Sequence, residues 1–196
     1  MGADHAEQPV AVRVRQLEER VLAAGLASDA ELDGVLAGLY AHASPLNGAR
    51  IVARAWADPG YADRLLADGN AAAAELGFDT AHAGSGYRLK VVANTPGTHN
   101  MIVCTLCSCY PVSLLGPSPS WYKSFAYRSR AVREPREVLA EFGLLVPLDT
   151  QIVVWDASAE NRYLVLPVRP AGTDGLAEED LAALVTRNGL IGTAAV

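Results

Sequence analysis

The placement of cysteine constrains this chain more than any other feature. Its three cysteines, Cys104, Cys107 and Cys109, fall within six consecutive residues. Thiols that close together cannot cross-link distant segments, and an odd number leaves one over, so no disulfide framework can hold this fold. Stability has to come from a hydrophobic core. With 196 residues, 51% of them hydrophobic and 19% charged, the chain has the length and apolar content to build one. The cysteine cluster therefore reads as a chemical site and not as a staple.

Periodicity places that cluster within the chain. Val14, Leu17, Val21 and Leu22 share one face of a helix predicted over 12–24, with Gly25 as its stop. Ser28-Asp29-Ala30-Glu31 has capping-box form ahead of Leu32, Val35, Leu36 and Leu39, so a second helix starts there and ends before Ser44-Pro45. Together they predict an N-terminal helical arm over 1–45, its apolar stripe suited either to a partner subunit or to the chain's own body. Helical pattern continues over 47–56, 61–67 and 70–76, punctuated by Asp58-Pro59-Gly60, Asp68-Gly69 and Gly77. Strands are predicted at 87–91, 101–103, 152–155 and 163–168. Two more helices are expected, one entered through Pro135 and closed by Gly143, the other over 177–185. The fold class is thus α+β: a helical arm and helices, followed by a small α/β body over 46–196 that carries the metal-binding and catalytic residues.

Charge and hydropathy exclude several functions. A formal net charge of −6 and a pI near 5.2 repel polyphosphate, so no nucleic-acid partner is expected. No apolar run approaches the roughly 18–20 residues needed to cross a bilayer, and Met1–Val10 lacks a basic, then apolar, leader, so a cytoplasmic protein without membrane contact is expected. Met1-Gly2 fails as a lipidation signal because Ala6 stands where Ser or Thr is required.

The cysteines follow a predicted strand and precede Pro111, which presents them from a loop at a strand end, where functional residues concentrate. In Cys107-Ser108-Cys109, two sulfurs and the backbone nitrogens of Ser108 and Cys109 can lie in one plane, since neighbouring donors close five- or six-membered rings. Cys104 can then cap an axial position and leave a sixth one open. Deprotonated amides demand a highly charged Lewis acid, so Co(III) or Fe(III) suits this arrangement better than Zn(II). Spacing alone leaves a second possibility, a structural zinc site made by the three cysteines and His99. A redox Cys-x-x-Cys pair lacks the expected strand–helix context, and an iron–sulfur cluster wants a fourth thiol.

The run Cys104-Thr105-Leu106-Cys107-Ser108-Cys109 resembles the metal motif of nitrile hydratase α subunits, with Thr105 and Tyr110 similar to the cobalt variant. Similarity extends through Asn94-Thr95-Pro96, His99-Asn100, Trp121-Tyr122-Lys123-Ser124, Tyr127-Arg128, Val132 to Arg136, Val154-Trp155-Asp156, Arg162-Tyr163 and Arg169 to Thr173. This resemblance implies the nitrile hydratase α-subunit fold and non-corrin Co(III), with Fe(III) the lesser choice. Metal ligands would be Cys104, Cys107, Cys109 and the amides of Ser108 and Cys109, with Cys107 as sulfinate and Cys109 as sulfenate. Catalytic roles fall to Cys109 and Ser108, supporting roles around the ligands to Thr105 and Arg133, and the substrate pocket to Val112 and Trp121. Implied partners are a β-type subunit in one chain or two, an activator or cobalt-delivery protein, and a small-molecule nitrile hydrated to its amide.

Five anionic donors on a trivalent ion leave about −2, which burial would force nearby cations to balance. Lys123, Arg128, Arg130, Arg133 and Arg136 against Glu134 and Glu137 give a local excess of three positive charges, although ordinary ion pairs on a solvated face would look the same. Val112 stands where relatives often carry a bulkier residue, Ser118-Pro119-Ser120 replaces a Pro-Pro pair, and Asn188-Gly189-Leu190 departs from the family pattern. A wider pocket for a bulky nitrile, as in toyocamycin-type enzymes, is the expectation. Two alternatives share the motif: the γ subunit of thiocyanate hydrolase, and a non-enzymatic zinc module built on the three cysteines.

Overall fold

Residues 9–78, 80, 86–107 and 109–196 are described by the computed structural model. Ser108, expected at the metal and in catalysis, lies outside the described residues, as do Met1–Gln8 and the side chain of Leu39. The chain divides into two units, Met1–His42 and Ala43–Val196. The first holds α1 (Val10–Ala23) and α2 (Asp29–Ala41). The predicted capping box forms: the Glu31 N–H donates to Ser28 Oγ at 3.3 Å, and the Ser28 N–H donates to the Glu31 carboxylate at 2.8 Å. Helix α1 begins two residues ahead of its apolar period, buries none of its residues, and leaves Val10, Val14 and Leu17 exposed.

In the second unit, residues read as breakers turn out to start helices. Ser44 Oγ accepts from the Leu46 N–H (3.2 Å) and Pro45 takes the first position of α3 (Pro45–Ala57). Pro is tolerated there because that N–H has no helical partner anyway. Asp58 caps α4 (Pro59–Ala67) through Tyr61 N–H, and Asp68 caps α5 (Gly69–Glu75) through the N–H groups of Asn70 and Ala71. Helix α3 buries Gly48, Ala49, Ile51, Val52, Ala53 and Ala55. At Gly48 a Cβ would stand 2.7 Å from Leu190 Cδ1 and 2.9 Å from the Leu114 carbonyl oxygen, so only glycine permits this approach.

Four strands form two parallel pairs. β1 (Arg88–Ala93) pairs with β4 (Asn161–Leu166), Arg88 opposite Asn161; β2 (Thr98–Val103) pairs with β3 (Gln151–Asp156), Thr98 opposite Gln151 and Val103 opposite Asp156. Buried Asn100 ties the pairs together. Its side-chain amide donates to the Ala93 carbonyl (2.8 Å), its Oδ1 accepts from Trp155 Nε1 (2.8 Å), and its backbone N–H donates to Asn94 Oδ1 (2.7 Å). Such a group is tolerated inside only when its hydrogen bonds are made. Helices α6 (Val112–Leu115), α7 (Ser120–Lys123), α8 (Phe125–Arg130) and α9 (Pro135–Glu141) separate β2 from β3, and α10 (Glu178–Leu184) and α11 (Arg187–Ile191) follow β4. Ile51, Leu65, Met101, Ile102, Val103, Leu139, Leu164 and Val165 fill the core. The architecture is α+β, as expected. No described helix is long and apolar enough to cross a membrane.

Candidate metal centre

β2 delivers the cysteines. Cys104 follows Val103, the last residue of the strand, and the Ala157 N–H donates to the Val103 carbonyl at 2.7 Å, fixing the strand end. From there the chain turns so that the three sulfurs converge within 4.8 Å of one another. Cys104 Sγ lies 3.5 Å from Cys107 Sγ, which lies 3.2 Å from Cys109 Sγ. Both distances far exceed the roughly 2.05 Å of a disulfide, so these are neighbouring thiols. The Cys107 N–H also approaches Cys104 Sγ at 3.4 Å. Cys104 and Cys109 are buried, whereas Cys107 is exposed.

Three anions cannot share such a site without a cation. Burial, then the Cys107 hydrogen bond, push the Cys109 thiol up to about 12, with Arg162 pulling the other way. Thiolates are the form a metal binds, so a bound ion would have to displace these protons. The donor set therefore fits a metal cation that favours thiolates. His99, the fourth ligand considered for zinc, is held elsewhere: its Nε2–H donates to the Gly192 carbonyl (2.8 Å) and Asn94 Nδ2 donates to its Nδ1 (3.4 Å). The described metal-ligand cluster holds the three cysteines without it.

The surroundings sort the sequence candidates. Thr105 donates twice to Asp156, through its N–H (2.9 Å) and its hydroxyl (2.5 Å). Among the basic residues it is Arg128 that reaches the loop, donating from Nη2 to the carbonyls of Thr105 (2.9 Å) and Leu106 (3.3 Å). Arg130 pairs with Glu134 and Glu141, and Arg136 donates to the carbonyls of Val146, Pro147 and Thr150. Arg133 stands exposed after α8, its backbone N–H bonded to the Arg130 carbonyl. Val112, half-buried, opens α6. Trp121 packs edge-on against Phe142 (4.6 Å between centroids) and Tyr127 (4.9 Å). Its neighbour Tyr122, fully buried, donates its hydroxyl to the Cys109 carbonyl at 3.0 Å. Asp156 and Tyr122 were legible only as parts of family-like runs, and Arg128 also as one of five basic residues counted against the cluster's charge; nothing local singled any of them out as a neighbour of the cysteines.

The family model described as "Nitrile hydratase, alpha chain" matches residues 8–194. This chain belongs to the nitrile hydratase α-chain family. It is 49% identical over 187 residues, 95% of this chain and 89% of the relative, to the low-molecular weight cobalt-containing nitrile hydratase subunit alpha of Rhodococcus rhodochrous. It is also 48% identical to the thiocyanate hydrolase subunit gamma of Thiobacillus thioparus, over 79% of this chain and 68% of the relative. Among solved structures, a double mutant of the Fe-type nitrile hydratase from Comamonas testosteroni Ni1 superimposes with a TM-score of 0.87 at 41% identity, covering 95% of this chain and 89% of that one. Family membership and the cysteine cluster coincide, and relatives of both metal types share the fold.

Proposed function

We propose that this chain is the metal-binding α subunit of a cobalt nitrile hydratase, converting a nitrile to its amide together with a β-type partner. The observation carrying this reading is the convergence of Cys104, Cys107 and Cys109 at a strand end, in a chain of this family. Sulfurs 3.2 and 3.5 Å apart, all three within 4.8 Å of one another, stand close enough to bind one ion together. Cobalt is favoured over iron by Thr105 and Tyr110 and by the name of the Rhodococcus rhodochrous relative.

The ligands are the three sulfurs and the amides of Ser108 and Cys109, with Cys107 and Cys109 oxidised. When bound, the ion supplies Lewis acidity that polarises the nitrile carbon. Cys109 provides the nucleophilic oxygen, and water then releases the amide. Ser108 contributes its main-chain nitrogen and a hydroxyl. Thr105 supports the ligands, while Val112 and Trp121 border the substrate, Val112 leaving room for a bulky nitrile. An activator protein delivers cobalt.

The test is co-expression with the β-type partner in cobalt medium, followed by elemental analysis, intact mass and turnover assays. Cobalt, a gain of about three oxygens on this chain, and amide formed from nitrile are expected. Zinc with unmodified thiols would refute the assignment. The 48% identity to a thiocyanate hydrolase subunit supports a second reading, in which thiocyanate is hydrolysed to carbonyl sulfide and ammonia; assaying both substrates on one preparation separates the two.

A further inference from the structure

Between the buried Cys104 and the exposed Cys107, the loop that carries the cysteines has little apolar burial to hold it. Past Val103 the β2–β3 ladder ends, and Leu106, in the middle of the loop, is 85% exposed, so apolar burial does not anchor the segment between Cys104 and Cys107. Yet the sulfurs converge. Resting on the metal-site reading above, we infer that Arg128 and Asp156 are positioning residues that clamp Thr105 from both sides and hold the claw in metal-binding shape.

The register explains how. Asp156 ends β3 directly opposite Val103, which places its carboxylate one step beyond the last ladder position. It takes over from the missing strand partner, accepting both the N–H and the hydroxyl of Thr105. From the other side, Arg128 on α8 grips the carbonyls of Thr105 and Leu106 with one nitrogen. Every hydrogen-bonding group of Thr105 is thereby engaged by residues 51 and 23 positions away. Fixing these two peptides fixes the turn in which the Cys107 N–H approaches Cys104 Sγ. The pair has opposite charges, so the clamp adds no net charge beside anionic ligands; two carboxylates in its place would repel them. Hydrogen bonds to main chain also leave Leu106 free to vary.

Partners that orient metal ligands typically govern affinity or activity by about 10–100-fold. The experiment compares the assembled, cobalt-loaded complex with complexes carrying Asp156→Asn, Arg128→Met, Arg128→Lys or Thr105→Val, measuring cobalt release to a chelator, the sulfur-to-metal absorption band and Tm. Release about 10–100-fold faster for Asp156→Asn and Arg128→Met, with a shifted band, is expected. Arg128→Lys should recover part of the loss, since ammonium keeps the donors without the planar fork. Lowered Tm with unchanged release and spectrum in all four would overturn the clamp. If the charge variants do not assemble, Thr105→Val, which exchanges the hydroxyl for a methyl and keeps the backbone N–H, decides alone: faster release supports the clamp and wild-type release overturns it. Metal content of the unsubstituted complex is measured first, because absence of cobalt there refutes the functional reading, whereas retained cobalt with unaltered variants refutes only the clamp.

Discussion

Replacing Gly192 by alanine should disrupt the metal centre from a distance, and the structure supplies its own control. Gly192 closes α11 with φ +85°, and Gly172 has φ +78° in a turn. Both backbones lie in the region that L side chains adopt at a cost of about 1–2 kcal/mol. They differ in space. A Cβ at Gly172 meets nothing within 4 Å, whereas at Gly192 it would stand 2.0 Å from the Asn100 carbonyl oxygen and 2.8 Å from Met101 Cα. Relief requires α11 and β2 to separate by more than 1 Å, taking as a guide an ordinary carbon–oxygen contact of about 3.3 Å. That motion pulls the Gly192 carbonyl from His99, disturbs Asn100, and shifts the strand that delivers Cys104. Gly172→Ala should therefore cost about 1–2 kcal/mol, or roughly 2–8 °C in Tm at about 2–4 °C per kcal/mol. Gly192→Ala should exceed about 4 kcal/mol, the range reserved for severe packing defects. Thermal and urea unfolding of the assembled protein, with cobalt content of the soluble fraction, measure both. Equal costs for the two variants, within about 1 kcal/mol, would refute the steric argument, since their φ penalties cancel.

Tyr122→Phe removes the donor to the buried Cys109 carbonyl, so a loss of about 1–3 kcal/mol is expected, read as a lower urea midpoint at unchanged m-value. Asn100→Leu keeps the volume but takes the partner from Trp155 Nε1 and the Ala93 carbonyl, both partly buried; about 1–3 kcal/mol should be lost, and a neutral result would show that water replaces the lost partner. Burial lowers the pKa of His99 below its ordinary value of 6.5, so the unfolded chain binds this proton more readily than the folded one. Stability from this residue is full above 6.5 and is lost as pH falls through 6.5 toward the folded pKa. Tm measured across that window should fall less steeply in His99→Gln than in the unsubstituted protein, and parallel profiles would remove His99 as the cause.

Most helices and strands were legible because their signals are local. Ser28 and Glu31 cap α2 within one turn, and Pro135 starts α9 where its missing N–H costs nothing. Ser44-Pro45 shows the limit of punctuation, since the pair that ends one helical pattern also caps the next helix. Helices α6, α7, α8 and α11, of four to six residues, are too short to display a period. β2 begins earlier than its apolar run suggested because Thr98, His99 and Asn100 are polar strand residues, the last two engaged by Gly192, Asn94, Ala93 and Trp155. Alternation rules assume that a strand buries apolar side chains, and these residues instead bury satisfied polar ones.

The same contrast between local and distant information divides the metal centre. Three cysteines within six residues announce themselves, since chelation by neighbours is written in their spacing. What shapes the loop around them is set by strand register and by helices packed later in the chain. Arg128 and Arg133 are equally basic and five residues apart, yet among the described residues it is Arg128 that hydrogen-bonds the cysteine loop, whereas Arg133 lies exposed past the end of α8. No composition argument separates such a pair. Asp156 becomes a neighbour of Thr105 only through the pairing of Val103 with Asp156 across two parallel strands. The cysteine cluster is thus announced by sequence spacing, whereas its geometry depends on the tertiary fold, and substitutions far from the cysteines should alter metal retention when they move β2, β3 or α8.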